Sequence, residues 1–429
     1  MKKVFLLFSI GASCIACAQH TNGVINVKEV ERVETALASD EMRGRKAGTP
    51  DIEKAAQFIA AEFKKAGLQP VNGDSYLQEF TMVRTRIKSV KGEVDDKEVD
   101  PKNLVVVTQE SELKVDEKSG YEQVYVKQGE DFRKRVTEIM ALKKNAIVMI
   151  DTSFSKMFGR LNGIRRPYFK GEKKESANLV FVLGMYQPKE FKFKAEQALE
   201  ESKFANVVGL LPGKSRKSEY VIFSGHYDHL GIGKPQNGDS IYNGANDDAA
   251  GTTAVILLAN HFKKLNNNER TLVFAAFTAE EIGGFGSQYF SKQYDPAQVM
   301  AMFNIEMIGT ESKWGRNSAY ITGYEKTNMG EILQKNLQGT SFTFHPDPYT
   351  DQNLFYRSDN ATLARLGVPA HTISTSKMDD EPNYHQASDE VKTLDMENMA
   401  AIIEAIAASS KSIINGVDTP TRVKTEDLK

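Results

Sequence analysis

Tyr220-Val-Ile-Phe-Ser-Gly-His-Tyr-Asp-His229 is a run of β-branched and aromatic residues that leads into two histidines and a carboxylate. The run predicts a buried strand with polar side chains directly after its end. Residues 271–277 form a similar run before a Glu-Glu pair at 280–281. Residues 299–305 form a third run, and Glu306 follows it. Because open α/β sheets bind ligands at the carboxyl ends of their strands, we predict that these polar residues share one sheet edge.

A helix is predicted between the first two strands, where residues 244–259 read Gly-Ala-Asn-Asp-Asp-Ala-Ala-Gly-Thr-Thr-Ala-Val-Ile-Leu-Leu-Ala. Asp247 stands just before the apolar part, and the positive end of a helix dipole favours a nearby carboxylate. Strands that alternate with helices indicate an α/β fold. The helix is therefore expected to start beside the strand ends.

The polar residues of these segments, together with a histidine in Asn-Tyr-His-Gln at 383–386, match the needs of a two-metal hydrolase. Zinc binds imidazole nitrogens and carboxylate oxygens, and a two-metal site needs about three protein ligands per metal with one carboxylate shared. A further carboxylate must stay off the metals as general base, and consecutive glutamates diverge enough to supply it. The candidate ligands are His226, Asp247, Glu306, His385 and one of the pair Glu280 and Glu281.

Taken in order across residues 204–410, the five segments resemble the zinc exopeptidase family, peptidase family M28, of bacterial secreted aminopeptidases, glutamate carboxypeptidase and animal glutaminyl cyclases. Residues 38–50 resemble the N-terminal segment of that family. The resemblance implies a mixed central sheet flanked by helices, the phosphorylase/hydrolase-like fold of zinc exopeptidases. Residues 82–203 carry strand-like runs without any of the metal motifs, and they predict an inserted, smaller β-rich domain.

Position by position, the resemblance makes His226 and Glu306 ligands of one zinc, and Glu281 and His385 ligands of the other. Asp247 becomes the bridging ligand between the two zinc ions.

The resemblance also implies the catalytic roles. Glu280 becomes the general base, and Asp228 orients the imidazole of His226, as metal-bound histidines require. Tyr384 matches a tyrosine that polarises the scissile carbonyl in several members. The peptide bond between Asp247 and Asp248 is expected to be cis.

Glu306 departs from the family pattern, in which aminopeptidases usually carry aspartate. The extra methylene lengthens the reach by roughly one carbon–carbon bond, which can shift the metal or change the denticity of the carboxylate. We expect two zinc ions per chain, with occupancy of the Glu306 site as the open point.

Among the remaining histidines, metal ligation is a less favoured alternative for His229. His229 is expected to line the entrance of the site or to cap a turn. His371 is interpreted as a buried strand histidine. His345 is expected in a loop.

The N-terminus predicts a secretory signal peptide over residues 1–18, with two lysines, an apolar core and Ala-Cys-Ala before the cleavage site. This predicts a periplasmic or secreted enzyme, and the apolar core is too short to span a membrane. In a competing interpretation Cys17 carries a lipid anchor. The chain's two cysteines, Cys14 and Cys17, both lie in this segment. The mature protein would therefore bind metals through histidine and carboxylate alone.

About 410 mature residues exceed what one hydrophobic core usually organises, so two structural units are expected. The predicted organisation is an N-terminal catalytic part at 19–81, an inserted domain at 82–203, the main catalytic part at 204–415, and a polar tail at 416–429, which is expected to be mobile from residue 418. The insert is either protease-associated-like or an unrelated β-rich domain. A helix is predicted from Pro50 to Gly67, and another at 396–414.

Composition and motifs narrow the function. The formal net charge is −2, which argues against nucleic acid as a partner. The chain has no His-Glu-x-x-His, Gly-x-Ser-x-Gly or Walker motif. We therefore predict a metallo-aminopeptidase that removes N-terminal residues from peptides. Two alternatives stay open, a single-zinc enzyme similar to glutaminyl cyclase and a non-catalytic binding module of the same fold.

Overall fold

The computed structural model describes residues 23–172 and 177–429. The predicted signal peptide, its cleavage site and the alternative lipid anchor at Cys17 lie outside the described residues. The chain divides into a major unit, which comprises the residues up to Lys46, Asp51–Tyr76 and Val207–Lys429, and a minor unit, which comprises Ala47–Pro50 and Leu77–Asn206. The predicted insert, 82–203, falls inside the minor unit.

The helices of the described residues are, in chain order, α1 (Val27–Leu37), α2 (Pro50–Ala66), α3 (Phe132–Ala141), α4 (Ser155–Phe158), α5 (Ala250–Leu265), α6 (Phe285–Ser291), α7 (Met329–Asn336), α8 (Asn360–Ala364) and α9 (Met396–Ile414). The strands up to residue 211 are β1 (Gln69–Pro70), β2 (Leu77–Val94), β3 (Lys97–Val99), β4 (Leu104–Val107), β5 (Glu112–Asp116), β6 (Glu122–Val126), β7 (Ala146–Ile150), β8 (Tyr168–Phe169), β9 (Leu179–Leu183) and β10 (Phe191–Leu211). The later strands are β11 (Arg216–His226), β12 (Gly231–Gln236), β13 (Asp239–Tyr242), β14 (Arg270–Phe277), β15 (Val299–Ile305), β16 (Ser318–Ile321), β17 (Thr343–Pro346) and β18 (Ala370–Ser374).

The major unit is built on a mixed sheet with the strand order β17-β16-β18-β15-β11-β14-β10. β11 is parallel to both of its neighbours, β14 and β15, and β15 is parallel to β18. The strands β10 and β16 run antiparallel to β14 and β18. The predicted α/β fold with a mixed central sheet is confirmed.

Helices cover both faces of this sheet. Because successive side chains of a strand point to opposite faces, neighbouring strand residues pack on different helices. On one face Phe223 stacks on Phe274 and Phe303, with ring centroids 5.6 and 4.9 Å away. Phe262 of α5 closes the same stack at 5.4 Å. On the other face the neighbouring residue, Ile222, belongs to a core that includes side chains of α6 and α8. Such two-sided burial explains why the central strands read as nearly continuous apolar runs.

The strand register brings the ends of the central strands level with one another. His226, the last residue of β11, lies opposite Phe277, the last residue of β14. On the other side of β11, Ser224 lies opposite Asn304, near the end of β15. The carboxyl ends of the three strands therefore meet at one edge, as predicted.

Both predicted flanking helices are confirmed. The helix α2 begins at Pro50, and Gly67, with φ of +78°, follows its end. The residue bounds of α9 are those expected from the sequence. The helices α1 and α9 both pack against α5.

Residues 416–429, predicted as a polar tail, make hydrogen bonds to the rest of the major unit. The buried guanidinium of Arg270 donates hydrogen bonds to the backbone carbonyl of Asp418 and to the hydroxyl of Thr419. Arg422 donates to the carbonyl of Val299, and Val423 is buried. The polar composition suggested a solvated segment, whereas these hydrogen bonds attach it to the sheet unit.

The minor unit contains a four-stranded sheet with the order β4-β9-β7-β6, buried on both faces. In β7, Ile147 and Met149 belong to one apolar core, whereas Val148 and Ile150 belong to another. The strand β5 pairs with β10, where Val115 lies opposite Phe193. The assignment of this unit to the protease-associated family stays a prediction.

In the part of the chain that the structure describes, we find no helix whose length and hydropathy would allow it to cross a bilayer.

Candidate metal centre

Each of the central strands places a candidate ligand at the sheet edge. His226 is the last residue of β11, and Glu306 directly follows β15. Glu280 and Glu281 follow β14 after a turn in which Ala279 has φ of +60°. The side chain of His226 is buried and that of Glu306 is half-buried, as expected for residues at strand ends that line a cavity.

Asp247 reaches the same edge from an irregular turn that precedes α5. The carboxylate of Asp389 accepts hydrogen bonds from the backbone N–H groups of Asn246, at 2.8 Å, and Asp247, at 3.0 Å. The peptide bond between Asp247 and Asp248 is cis, as the family resemblance implies. Asp389 thus sets the backbone that carries the proposed bridging ligand.

Asp248 holds the surrounding segments together. Its Oδ2 accepts the N–H of His226, and its Oδ1 accepts the N–H groups of Gly251 and Met307, each at 3.0 Å. Because Asp248 is fully buried, these bonds are shielded from water. One carboxylate therefore joins the end of β11, the start of α5 and the residues after β15.

The candidate ligands form two sets that share Asp247. In the first set, His226 Nε2 lies 3.3 Å from Asp247 Oδ1, and Glu306 presents an oxygen such that the donor atoms of all three lie within 4.8 Å of one another. In the second set, His385 Nε2 lies 3.2 Å from Asp247 Oδ2 and 3.2 Å from Glu281 Oε2. The longer side chain of Glu306 still reaches the first set.

These donor distances fit zinc. Two ligands about 2.0–2.1 Å from a tetrahedral zinc lie roughly 3.3 Å apart, which is close to the separations found here. Several of the buried donor atoms also have no hydrogen-bond partner among the described residues, including His226 Nε2, Asp247 Oδ2, Glu281 Oε1 and Glu306 Oε2. Buried polar atoms of this kind are normally paired or bound to a metal. The residues present therefore fit a zinc centre.

The imidazoles shape the charge of the carboxylates. Although burial opposes it, contacts with His226 and His385 lower the pKa of Asp247. Burial likewise opposes the shift at Glu281, where contacts with His229 and His385 lower the pKa to about 2. Both carboxylates are thus held in the ionised form that a metal ligand requires.

Glu280 differs from its neighbour Glu281. Burial raises the pKa of Glu280 well above its ordinary value, and the nearby carboxylate of Glu306 adds to that shift. Glu280 also lines the same cavity as the ligands. A carboxyl group whose proton affinity is raised in this way suits a general base.

Asp228 lies beneath both glutamates, and one detail of its predicted role is corrected. Its carboxylate accepts the N–H of Glu280 at 3.1 Å and that of Glu281 at 3.4 Å. His226 Nδ1 lies 3.1 Å from the backbone oxygen of Asp228 but 3.8 Å from Oδ1. Because the carboxylate is engaged by the glutamate turn, the backbone carbonyl is the closer partner of the imidazole.

Tyr384 lines the cavity and stacks on His385, with ring centroids 4.0 Å apart. The cavity has a volume of about 220 Å³. Its apolar lining includes Met307, Tyr320, Leu354 and Met378.

His229 is where the structure departs most from the sequence analysis. The side chain does not line an entrance, because the residue is only 1% exposed. Its Nδ1 lies 2.9 Å from Glu281 Oε1 and 3.8 Å from Asp247 Oδ2. The turn after β11 directs the ring inward, which strand-end spacing alone did not indicate. His371, in contrast, is a buried strand histidine as predicted.

Arg45, which the sequence analysis left without a role, supports the site from the segment 38–50. Its guanidinium is fully buried and donates to the backbone carbonyls of Leu37, Tyr227 and Gly244, each at 2.8 Å. The resemblance of this segment to the family was the available signal, but it did not single out Arg45.

The geometry agrees with comparisons to known proteins. Residues 206–410 match the sequence profile described as peptidase family M28. This segment belongs to peptidase family M28. The match runs from the end of β10 to α9 and includes the five proposed ligands.

Two solved structures show the likeness in fold. A zinc aminopeptidase from Bacillus subtilis, BSAP, has a TM-score of 0.55 at 18% identity, over 94% of this chain and 99% of that one. An aminopeptidase from Aneurinibacillus sp. strain AM-1 has a TM-score of 0.53 at 17% identity, over 94% of this chain and 97% of that one.

Curated relatives include leucine aminopeptidase 1 of Neurospora crassa, 26% identical over 45% of this chain and 50% of the relative. Leucine aminopeptidase 1 of Ajellomyces capsulatus is 24% identical over 60% of this chain and 68% of the relative. The chain thus spans about half the length of the Neurospora protein.

Proposed function

We propose that the protein is a zinc-dependent aminopeptidase that hydrolyses the first peptide bond of its substrates. The proposal rests on the two donor sets that share Asp247, namely His226 with Glu306 and His385 with Glu281, and on Glu280, which lines the same cavity and belongs to neither set. Membership of the segment 206–410 in peptidase family M28 and the likeness to zinc aminopeptidases support it. We propose two zinc ions per chain, one in each set.

His226, Asp247 and Glu306 would hold one zinc, and Asp247, Glu281 and His385 the other. Bound there, zinc lowers the pKa of water from ~15.7 toward ~7 and polarises a carbonyl. Glu280 accepts the proton of the attacking water and returns it to the leaving amine. Tyr384 donates a hydrogen bond to the carbonyl oxygen as negative charge develops there.

The cavity suits a terminal residue. Its volume of about 220 Å³ lies below the ~300–1,000 Å³ of pockets that enclose drug-sized ligands, so one side chain fills it. The carboxylates that line the cavity attract the protonated amine of a peptide N-terminus. The wall formed by Met307, Tyr320, Leu354 and Met378 favours an apolar N-terminal side chain. The relatives in Neurospora crassa and Ajellomyces capsulatus are named leucine aminopeptidase 1, which agrees with that preference.

The predicted signal peptide places this activity in the periplasm or outside the cell. Peptides are then the accessible substrates. Measurement of the N-terminal residue of the exported protein tests the cleavage after Ala18, and a lipid-modified Cys17 would replace that assignment.

The test of function compares metal content with hydrolysis of a panel of aminoacyl substrates. Glu280→Gln is expected to retain zinc and to lose about 10²- to 10⁴-fold in kcat, because only proton transfer is removed. The matched control is Glu311→Gln, an exposed glutamate of the same unit, which is expected to behave like the wild type. Glu281→Gln is expected to lose metal as well as activity.

The same assays separate the alternatives. One zinc per chain with cyclisation of an N-terminal glutamine would favour the glutaminyl-cyclase-like enzyme. A protein without metal and without turnover would favour the binding module.

A further inference from the structure

We propose that His229 is a third imidazole ligand of this centre, which joins Asp247, Glu281 and His385 in the second set through its Nδ1 atom. The inference rests on the metal centre of the proposed function. It extends the second set from three protein donors to four.

The first observation is that the His229 ring is buried without hydrogen bonds. The residue is 1% exposed, and neither Nδ1 nor Nε2 has a hydrogen-bond partner among the described residues. A neutral imidazole carries one donor and one acceptor, and each buried group left unpaired costs about 1–3 kcal/mol. A metal at Nδ1 would satisfy the acceptor atom.

The second observation is the position of Nδ1. It lies 2.9 Å from Glu281 Oε1 and 3.8 Å from Asp247 Oδ2. These values bracket the separation of roughly 3.3 Å expected between two ligands of one tetrahedral zinc. The nitrogen therefore faces the same two carboxylates that His385 Nε2 contacts.

The two imidazoles reach those carboxylates without competing for space. The rings of His229 and His385 meet edge to face, with centroids 5.8 Å apart and planes at 68°. His229 belongs to the turn after β11, whereas His385 follows the last strand, β18, in the chain. The two imidazoles can therefore approach the carboxylates of Asp247 and Glu281 from different sides.

The third observation is that the backbone makes room for the His229 ring. A Cβ atom on Gly244 would lie 2.4 Å from His229 Cγ and 2.6 Å from Cδ2. Gly244 also has φ of +58°, a conformation that residues with a side chain rarely adopt. The ring of His229 thus packs against Gly244, which lies three residues before Asp247. The side chain of His385, in contrast, is 36% exposed. His229 is the better shielded of the two donors.

A hydrogen bond from His229 to Glu281, without metal ligation, is the competing role. The variant His229→Asn separates the two roles. The amide nitrogen of asparagine occupies nearly the position of Nδ1 and donates a hydrogen bond, but it is not a zinc ligand of the kind proteins use. A positioning role survives this substitution, whereas a ligand role does not.

The experiment uses the full mature chain, free of any histidine tag, with Co²⁺ in place of zinc. Each imidazole bound to Co²⁺ through one nitrogen keeps an exchangeable N–H proton on the other, which gives a paramagnetically shifted proton resonance that vanishes in D₂O. We expect three such resonances in the wild type and two in His229→Asn. The affinity of the second set for Co²⁺ should fall at least tenfold.

The control is His345→Asn, which removes a histidine that stacks on Trp314 and contacts no proposed ligand. It should retain three resonances. Two resonances in the wild-type protein would overturn the inference without any variant, and so would unchanged spectra and affinity in His229→Asn. A wild-type protein that binds no Co²⁺ would overturn the metal centre of the proposed function together with this inference, whereas two resonances leave that centre intact.

Discussion

The carboxylate of Asp248 accepts the backbone N–H of His226, with 3.0 Å between Oδ2 and the nitrogen. The same carboxylate also receives the N–H groups of Gly251 and Met307. A residue that binds no proposed metal thus fixes the relative positions of three segments that carry ligands.

Replacement of Asp248 by alanine leaves three buried N–H groups without an acceptor. At about 1–3 kcal/mol for each unpaired group, we expect the free energy of unfolding to fall by roughly 3 kcal/mol or more. Urea unfolding at neutral pH measures this loss. Asp248→Asn keeps one acceptor oxygen and should lie between alanine and the wild type. A loss below about 1 kcal/mol in the alanine variant would contradict the proposed tethering.

Gly251 should not tolerate a side chain. A Cβ atom there would lie 2.1 Å from the backbone oxygen of Ile305 and 2.5 Å from Asp248 Oδ1. We expect Gly251→Ala to destabilise the protein by about 1–3 kcal/mol or more, because backbone at the start of α5 must shift. Gly163→Ala is the matched control, since nothing lies within 4 Å of a Cβ atom added at that position. Thermal unfolding of both variants provides the comparison, and equal melting temperatures would argue against the close approach of α5 to β15.

Asp389 is expected to control metal affinity without touching metal. Its carboxylate holds the N–H groups of Asn246 and Asp247, so its loss frees the turn that carries the shared ligand. We expect Asp389→Ala to weaken zinc binding about 10- to 100-fold, the usual effect of removing a group that orients a metal ligand. Competition with a chromophoric zinc chelator measures the affinity. Retention of both zinc ions at wild-type affinity would refute this role.

Glu34 should make stability depend on pH. Burial raises the pKa of Glu34 to about 8, although Thr253 donates a hydrogen bond to its carboxylate at 2.8 Å. The folded protein keeps this carboxyl protonated while the unfolded chain, with a pKa near 4.5, has already released the proton. The stability contributed by Glu34 is therefore full at low pH and is lost as pH rises from about 5 to 8.

Glu34→Gln removes this dependence. We expect the variant to gain on the wild type by about 1.4 kcal/mol per pH unit between roughly pH 5 and pH 8, measured by urea unfolding of metal-free protein. Glu31→Gln, on the exposed side of the same helix, controls for the removal of a charge. Parallel pH profiles for Glu34→Gln and the wild type would contradict the raised pKa.

The sequence alone determined the three central strands of the sheet, β11, β14 and β15, and the residues that follow their ends. Residues 299–305 and 396–414 form a strand and a helix with the bounds expected from the pattern. Both patterns are local features of the sequence. A strand buried on both faces has a continuous apolar run, and a helix buried on one face has apolar residues at the helical period. Because parallel strands align their carboxyl ends, the sequence was enough to assign His226 and Glu306 to one site.

Tertiary structure alone decided which groups support those ligands. Asp389 contacts Asp247, and Arg45 contacts the carbonyl of Tyr227, although more than a hundred residues of sequence separate the partners in each pair. His229 turns inward because Gly244 leaves space for its ring. Such contacts join a side chain to backbone atoms elsewhere in the fold, and no local periodicity encodes them. The ligands follow from the ends of strands, whereas their supports follow from how the loops beyond those ends pack together.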